Sequence, residues 1–329
     1  MKIIDLFSGI GGFSLGFQRA GYEFTEHYFS EIDKHAIANY KHNFPNAKHI
    51  GDITTIQPAD LAGADIITFG SPCQDFSMAG KRAGLTGAKS SLIQHAIALI
   101  TRVRPSVFIW ENVKGAFSSN ARADFWAILQ AFANIGGYTI EWQLLNTSWL
   151  LPQNRERIYL VGHLAGRSDP GVFPITEDDC TPRKEKTYQF QAKISGTLKS
   201  NGNMNADDTY IIPKTASTLT GGGHSGGLHS DMTVIRQLPR GKNKGADLTI
   251  CPTISSNAFQ ENNLLCGIRR LTEIECERLQ GFPDNFTQYG DYNGIIKPIA
   301  KTQRYKLIGN AVTVDIVELI AKRLKITTQ

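Results

Sequence analysis

The chain has 329 residues, 41% hydrophobic and 20% charged, enough for one large or two smaller globular domains with a sizeable core and too polar for a membrane protein. Thirty-five Lys and Arg against 30 Asp and Glu leave a net charge of +5, which admits a polyanionic partner without requiring one. Cys73, Cys180, Cys251, Cys266 and Cys276 are scattered with no C-x-x-C pair, so neither a disulfide framework nor a zinc knuckle is suggested and a reducing compartment fits.

The opening Met1-Lys2-Ile3-Ile4-Asp5 puts a carboxylate where a signal peptide needs an apolar run, and the expectation is a soluble, cytoplasmic chain with no membrane partner. Compact β-rich runs follow at 2–7, 28–31, 65–69, 106–111, 138–145 and 157–162. Between them, 13–20, 34–43, 91–103 and 123–135 repeat apolar residues every three or four positions. Strands alternating with amphipathic helices predict an α/β, Rossmann-like doubly wound domain with a parallel sheet.

After about residue 165 the texture turns to Gly, Asn, Ser and Thr, and helical periodicity is lost for roughly a hundred residues. A smaller, loop-rich β domain is expected there. Three irregular hairpins are read from Gly196-Thr197-Leu198 to Tyr210-Ile211-Ile212, from Ser217-Thr218-Leu219 to Thr233-Val234-Ile235, and from Pro252-Thr253-Ile254 to Asn263-Leu264-Leu265. From Arg183 to Gln260 ten Lys or Arg face five Asp or Glu, which suits phosphates and base edges and equally suits a solvated surface. Helical patterning returns at 272–280 and 312–324.

Four motifs carry chemistry. Asp5-Leu6-Phe7-Ser8-Gly9-Ile10-Gly11-Gly12-Phe13 runs a strand into a glycine-rich turn that opens a helix, and it lacks the Gly-Lys-Ser/Thr of a phosphate loop, so a nucleoside fits better. Glu31 ends the second strand, placed to accept from ribose hydroxyls, and Asp52 could hold an adenine amine; each could equally cap a helix. Gly70-Ser71-Pro72-Cys73-Gln74-Asp75-Phe76-Ser77 follows an apolar strand and so lies at the carboxyl edge of the sheet, where ligands bind. A lone cysteine is more often a packing residue, but this position exposes it for reaction. The Gly-rich stretch 78–90 carries Lys81, Arg82 and Lys89 and is expected to close over a polyanion. Trp110-Glu111-Asn112-Val113 brings an acid to the same edge. In Gln153-Asn154-Arg155-Glu156-Arg157 the two arginines alternate onto one face, to orient an acid, hold a substrate carbonyl or form surface salt bridges.

Taken in order, Phe7 to Gly12, Pro72-Cys73-Gln74, Glu111-Asn112-Val113, Gln153 to Arg157, Arg270 to Phe286 and Gly309-Asn310-Ala311-Val312 resemble the DNA cytosine-5 methyltransferases of bacteria and phages. The resemblance runs nearly end to end, with a variable region between the fourth and fifth motifs. It implies S-adenosylmethionine as methyl donor, S-adenosylhomocysteine as product, no metal, and double-stranded DNA with a specific cytosine as partner. A monomer is expected; whether a restriction endonuclease is its companion or a phage uses it for protection is left open by the sequence. Cys73, Glu111, Arg155 and Arg157 are its expected catalytic residues. Phe7, Gly9, Gly11, Glu31, Asp52, Ile53, Pro72, Leu92 and Asn310 are its expected cofactor residues, and Gln74, Ser77, Lys81, Arg82 and Lys89 its expected DNA contacts.

By the same resemblance, residues 1–165 and 303–329 form the catalytic domain and 166–302 the target-recognition domain. The implied chemistry is addition of the Cys73 thiolate to carbon 6 of an everted cytosine, which makes carbon 5 nucleophilic. A transfer-RNA methyltransferase on the same catalytic domain, a silent DNA-binding regulator and an NAD enzyme of the same fold are the competing readings. The polar segment 181–260 matches no particular relative, which leaves the target sequence open.

Overall fold

Buried apolar strands alternating with one-sided helices build the core of the protein. The computed structural model describes residues 1–70, 91–118, 123–180, 235–237, 246–248, 251–252, 263–265 and 269–327. In chain order the first half gives β1 (Lys2–Leu6), α1 (Gly12–Arg19), β2 (Glu26–Ser30), α2 (Lys34–Asn43), β3 (Lys48–His49) and β4 (Ile66–Gly70). Next come α3 (Ser91–Val103), β5 (Val107–Val113), α4 (Lys114–Ser118), α5 (Ala123–Ala133), β6 (Tyr138–Asn146), β7 (Gln153–Asn154) and β8 (Glu156–Leu164).

Seven strands form one sheet in the order β3-β2-β1-β4-β5-β8-β6. The first five are parallel. All five residues of β1 are buried, as expected where helices cover both faces of a parallel sheet. The expectation of parallel strands fails at β8, which is antiparallel to both β5 and β6. The short connection from β6 to β8 holds no long helix to carry the chain back across the sheet, so β8 returns beside β6.

One face of the sheet packs under α3 and α5 through Ile4, Phe69, Phe108, Trp110, Ile100 and Phe132. Ile93, Ala96, Ile100 and Val103 make the buried stripe of α3. The other face meets α1 and α8 (Val314–Arg323), which follows α6 (Glu273–Leu279) and α7 (Lys301–Asn310). Phe17, Val317 and Ile320 are fully buried there, each contributing about 1.5–3 kcal/mol relative to exposure. The C-terminal helix thus returns to the first half.

The remaining strands are β9 (Ser168–Asp169), β10 (Ile235–Gln237), β11 (Ala246–Leu248), β12 (Cys251–Pro252), β13 (Asn263–Leu265), β14 (Arg269–Arg270), β15 (Tyr289–Tyr292), β16 (Ile295–Pro298) and β17 (Lys325–Ile326). A small antiparallel sheet runs β11-β10-β13-β14. The hairpin expected between 252–254 and 263–265 is replaced by other pairings, because β13 pairs with β10 and β14 while β12 pairs with β7. The hairpin read at 196–212 and nearly all of the one at 217–235 lie outside the described residues.

Both ends of the segment 166–302 pack on the large sheet's layers. Val172, Ile175 and Cys180 join the cluster around α8, and β9 pairs with β17. At the other end Phe282 and Phe286 join α2 and α7 in a third cluster. The helix α7 and the β15–β16 hairpin have no counterpart among the predicted elements. No described helix is long and apolar enough to cross a membrane.

Candidate active site

The carboxyl ends of β1, β2, β4 and β5 open into one cleft of about 430 Å³, walled on its far side by the segment from Gly309 to Val312. That volume is in the range of small-molecule sites. Its floor is the turn after β1. Phe7 leaves the strand with φ of 50° and Gly11 caps α1 with φ of 86°. Phe7 is thus a non-glycine residue in the left-handed region, a conformation that surrounding structure must impose. The Gly11 amide donates to the Ser8 carbonyl at 2.9 Å, and the Ser8 amide to the Ser30 carbonyl at 3.1 Å. A Cβ on Gly12 would lie 2.7 Å from Val312, so its absence lets the C-terminal segment close the cleft.

On the β2 side, carboxylates hold the backbone. Glu31 accepts from the Gly9 amide at 2.9 Å through one oxygen and from Ile32 and Asp33 amides at 2.8 and 2.9 Å through the other. Asp33 caps α2, accepting from His35 and Ala36 amides, and meets Lys306 Nζ at 2.6 Å. Asp52 accepts from the Thr54 amide at 2.9 Å and caps a short turn. The cap and the ligand readings of these acids are therefore compatible, since an ionised carboxylate offers about four acceptor positions.

On the β5 side, Glu111 stands opposite Gly70 in the β4–β5 register. A Cβ on Gly70 would sit 3.1 Å from Glu111 Oε2, so the glycine leaves room for the carboxylate. Arg157 Nε lies 3.1 Å from Glu111 Oε1, with both side chains largely buried. Arg155, 3% exposed, reaches elsewhere: Nη2 donates to the Ala311 carbonyl at 2.8 Å and Nη1 to the Gly309 carbonyl at 3.4 Å. Neither arginine is a surface salt bridge. The common face expected for them divides into a guanidinium on the acid and a guanidinium on the turn that carries Asn310.

Beneath the floor lies a buried polar cluster. Asp5 accepts from Thr68 Oγ1 at 2.9 Å, Tyr40 Oη at 3.2 Å and Ser14 Oγ at 3.3 Å. His27 Nε2 is 2.8 Å from Tyr40 Oη and 3.0 Å from Ser14 Oγ. Burial pushes the Asp5 carboxyl up to about 7 and the His27 imidazole down to about 4.

Ten of the residues singled out in the sequence line this cleft: Phe7, Gly9, Glu31, Asp52, Ile53, Leu92, Glu111, Arg155, Arg157 and Asn310. Gly11 is absent from the wall; its open side faces Tyr40 and Phe44, which a Cβ would meet. Pro72, Cys73, Gln74, Ser77, Lys81, Arg82 and Lys89 lie outside the described residues. Gly70, the last described residue before them, lines the cleft two positions before Pro72. Sequence reasoning missed Ser8, Gly12, Ile32, Asp33 and Gly70 as wall residues. Each lies next to or within a recognised motif, so adjacency was the available signal.

The family model for C-5 cytosine-specific DNA methylases matches residues 1–326. Type II methyltransferase M.Bsp6I of Bacillus sp. (strain RFL6) is 31% identical over 98% of this chain and 98% of its own. Type II methyltransferase M1.ScrFI of Lactococcus lactis subsp. cremoris is 34% identical over 98% of this chain and 77% of its own. Among solved structures, the S. pombe Dnmt2 methyltransferase superposes with a TM-score of 0.57 at 19% identity, covering 97% of this chain and 96% of that one. A prophage protein of E. coli, described as a DNA modification methyltransferase, superposes with a TM-score of 0.63 at 23% identity over 98% and 97%. These two likenesses concern the fold.

Proposed function

The chain belongs to the C-5 cytosine-specific DNA methylases, and on that premise we propose that it transfers a methyl group from S-adenosylmethionine to carbon 5 of a cytosine everted from duplex DNA. The observation that carries the reading is the single cleft in which Glu111, Arg157 and the strand leading to Cys73 converge with Phe7, Glu31, Asp52 and Asn310. The cleft's residues fit the donor. Phe7, Ile53 and Leu92 offer apolar contact to a purine, Glu31 and Asp52 offer acceptors to hydroxyl and amine groups, and a buried hydroxyl of Ser8 has no partner among the described residues. When bound, S-adenosylmethionine supplies an electrophilic methyl group.

The chain's own residues do the rest. The Cys73 thiolate adds to carbon 6 of the pyrimidine, forming a C–S bond and shifting the ring electrons to carbon 5. Glu111 stabilises that adduct at ring nitrogen 3 by hydrogen bonding or proton donation. Arg157 fixes the Glu111 carboxylate and supplies a donor to the pyrimidine carbonyl. After methylation, loss of the proton from carbon 5 and expulsion of Cys73 restore the aromatic ring. Arg155 acts as a positioning residue, holding the Asn310 turn against the cleft.

Eversion costs a few kcal/mol, offset by pocket contacts and by closure of the stretch 78–90. Gln74 fills the vacated space, and Ser77, Lys81, Arg82 and Lys89 meet the backbone. The recognition domain is assigned within 166–302, with base contacts drawn from 181–265, and the chain acts as a monomer in the bacterial or phage-infected cytoplasm. Incubation of the full-length protein with duplex DNA and methyl-labelled S-adenosylmethionine tests this. Label recovered in 5-methylcytosine supports it; label in another base, or none in DNA, overturns it.

A further inference from the structure

Past β9 the chain forms a strap held to the catalytic domain by side chains. Residues 170–176 belong to no helix or strand, so their backbone groups need partners from elsewhere. Glu141 and Gln143, on one face of the edge strand β6, supply them. Glu141 Oε1 accepts from the Gly171 and Val172 amides at 3.1 and 2.8 Å, and Oε2 from the Phe173 amide at 3.2 Å. Gln143 accepts from the Ile175 amide at 2.8 Å and donates to the Ile175 carbonyl at 2.6 Å, as a neighbouring strand would. Arg323, the last residue of α8, donates to the Val172 and Pro174 carbonyls at 2.9 and 2.7 Å. Glu141 Oε1 also meets His163 Nε2 at 2.8 Å, while His163 Nδ1 meets Ser168 Oγ at 2.9 Å. An ionised carboxylate only accepts, which assigns the imidazole proton to Nε2 and makes Ser168 the donor to Nδ1. The Glu141 site is thus built from donors alone.

We propose that Glu141 and Gln143 are positioning residues for DNA recognition: by fastening 171–175 to β6 they set where the chain departs for the recognition domain. This rests on the domain assignment proposed above. The strap ends at Cys180, buried in the cluster around α8, directly before the residues assigned to base contacts. Base-reading groups must be held to within about 0.5 Å of their productive places, and a long segment magnifies slack at its root. The task is separate from upkeep of the cleft. Among the described residues, none of β6 lines the cleft. Arg157 stands opposite Leu145, four positions beyond Glu141 on β6, which is about 13 Å along a strand.

Steady-state kinetics of the full-length protein tests this, on a duplex carrying a site that bisulfite sequencing shows the wild type to methylate. Calorimetric titration with S-adenosylhomocysteine runs beside it. Glu141→Gln keeps the size of the side chain but turns an NH2 group toward donors. It should raise the KM for DNA about tenfold, with kcat at saturating DNA and affinity for S-adenosylhomocysteine unchanged. Gln143→Glu sets a carboxylate oxygen against the Ile175 carbonyl and should raise the KM for DNA by a smaller factor. As the milder change, it decides the matter if Glu141→Gln does not fold. An unchanged KM for DNA in the folded variants overturns the proposal, as does a parallel loss of donor affinity. A wild type that methylates cytosines without sequence preference overturns the recognition-domain assignment itself, and one that methylates no duplex overturns the function proposed above.

Discussion

At the β2 end of the cleft, Glu31, Asp33 and Asp52 direct their oxygens to backbone N–H groups, while at the β5 end Glu111 is held by the guanidinium of Arg157. The first set shapes the walls and is part of the local fold. The second is an ion pair between two side chains, mostly buried, which fixes a charge without tying it to the backbone. The contrast separates binding from rate: changes at the β2 end should alter affinity for the donor, and changes at the β5 end should alter turnover.

The largest expected effect tests the β5 end. Glu111→Gln should lower kcat by about 10²–10⁴-fold, with affinity for S-adenosylhomocysteine retained in calorimetry. A loss of affinity with kcat intact would erase the contrast between the two ends. Next, the arginines should part. Arg157→Lys should reduce kcat about tenfold or more, because a point charge replaces the fork beside Glu111. Arg155→Lys should mainly raise the donor's KM by loosening the clasp on Gly309 and Ala311, and steady-state kinetics with varied donor reads both. At the β2 end, Glu31→Gln should weaken S-adenosylhomocysteine about tenfold with a lesser change in kcat measured at saturating donor.

The smallest effect lies beneath the floor, in stability against pH. Asp5 ordinarily titrates at 3.8 and is raised to about 7 in the fold. Between those values the native state keeps a proton that the unfolded chain has released, so stability falls as pH rises. His27 ordinarily titrates at 6.5 and is lowered to about 4. Across that window the unfolded chain holds the extra proton, so stability rises with pH. The two slopes oppose each other in the wild type. In denaturant unfolding, stability of His27→Gln relative to wild type should fall as pH rises from 4 to 6.5, and stability of Asp5→Asn relative to wild type should rise from pH 4 to 7.

Local patterns made the parallel half of the fold legible. The helix over Lys34–Asn43 and the helix over Ser91–Val103 match their predicted bounds because apolar spacing alone sets a helix that covers a sheet. The direction of β8 was not legible, since apolar alternation in a strand carries no sign and direction depends on what connects it. The walls of the cleft followed the same division. Glu31 and Glu111 were readable because each closes a β-rich run, 28–31 and 106–111, and Asn310 because it lies in a motif; all three line the cleft. Ser8 is not legible as a wall residue, because a serine in a turn gives no sign that its hydroxyl will be buried, and the cleft it lines is completed by Gly309 to Val312 from the far end of the chain. The different tasks of Arg155 and Arg157 likewise depend on that distant segment. Alternation in sequence had suggested a shared one.

The central claim is that the sulfur of Cys73 attacks a cytosine held beside Glu111 and a methyl donor. Duplex DNA containing 5-fluorocytosine at the methylated position tests it most directly, because fluorine at carbon 5 blocks the release step. With S-adenosylmethionine present, peptide mapping of the wild type should find a stable DNA adduct on Cys73, and Cys73→Ser should form none while still binding S-adenosylhomocysteine. An adduct on another residue, or methylation of ordinary cytosine by Cys73→Ser at the wild-type rate, would contradict the account.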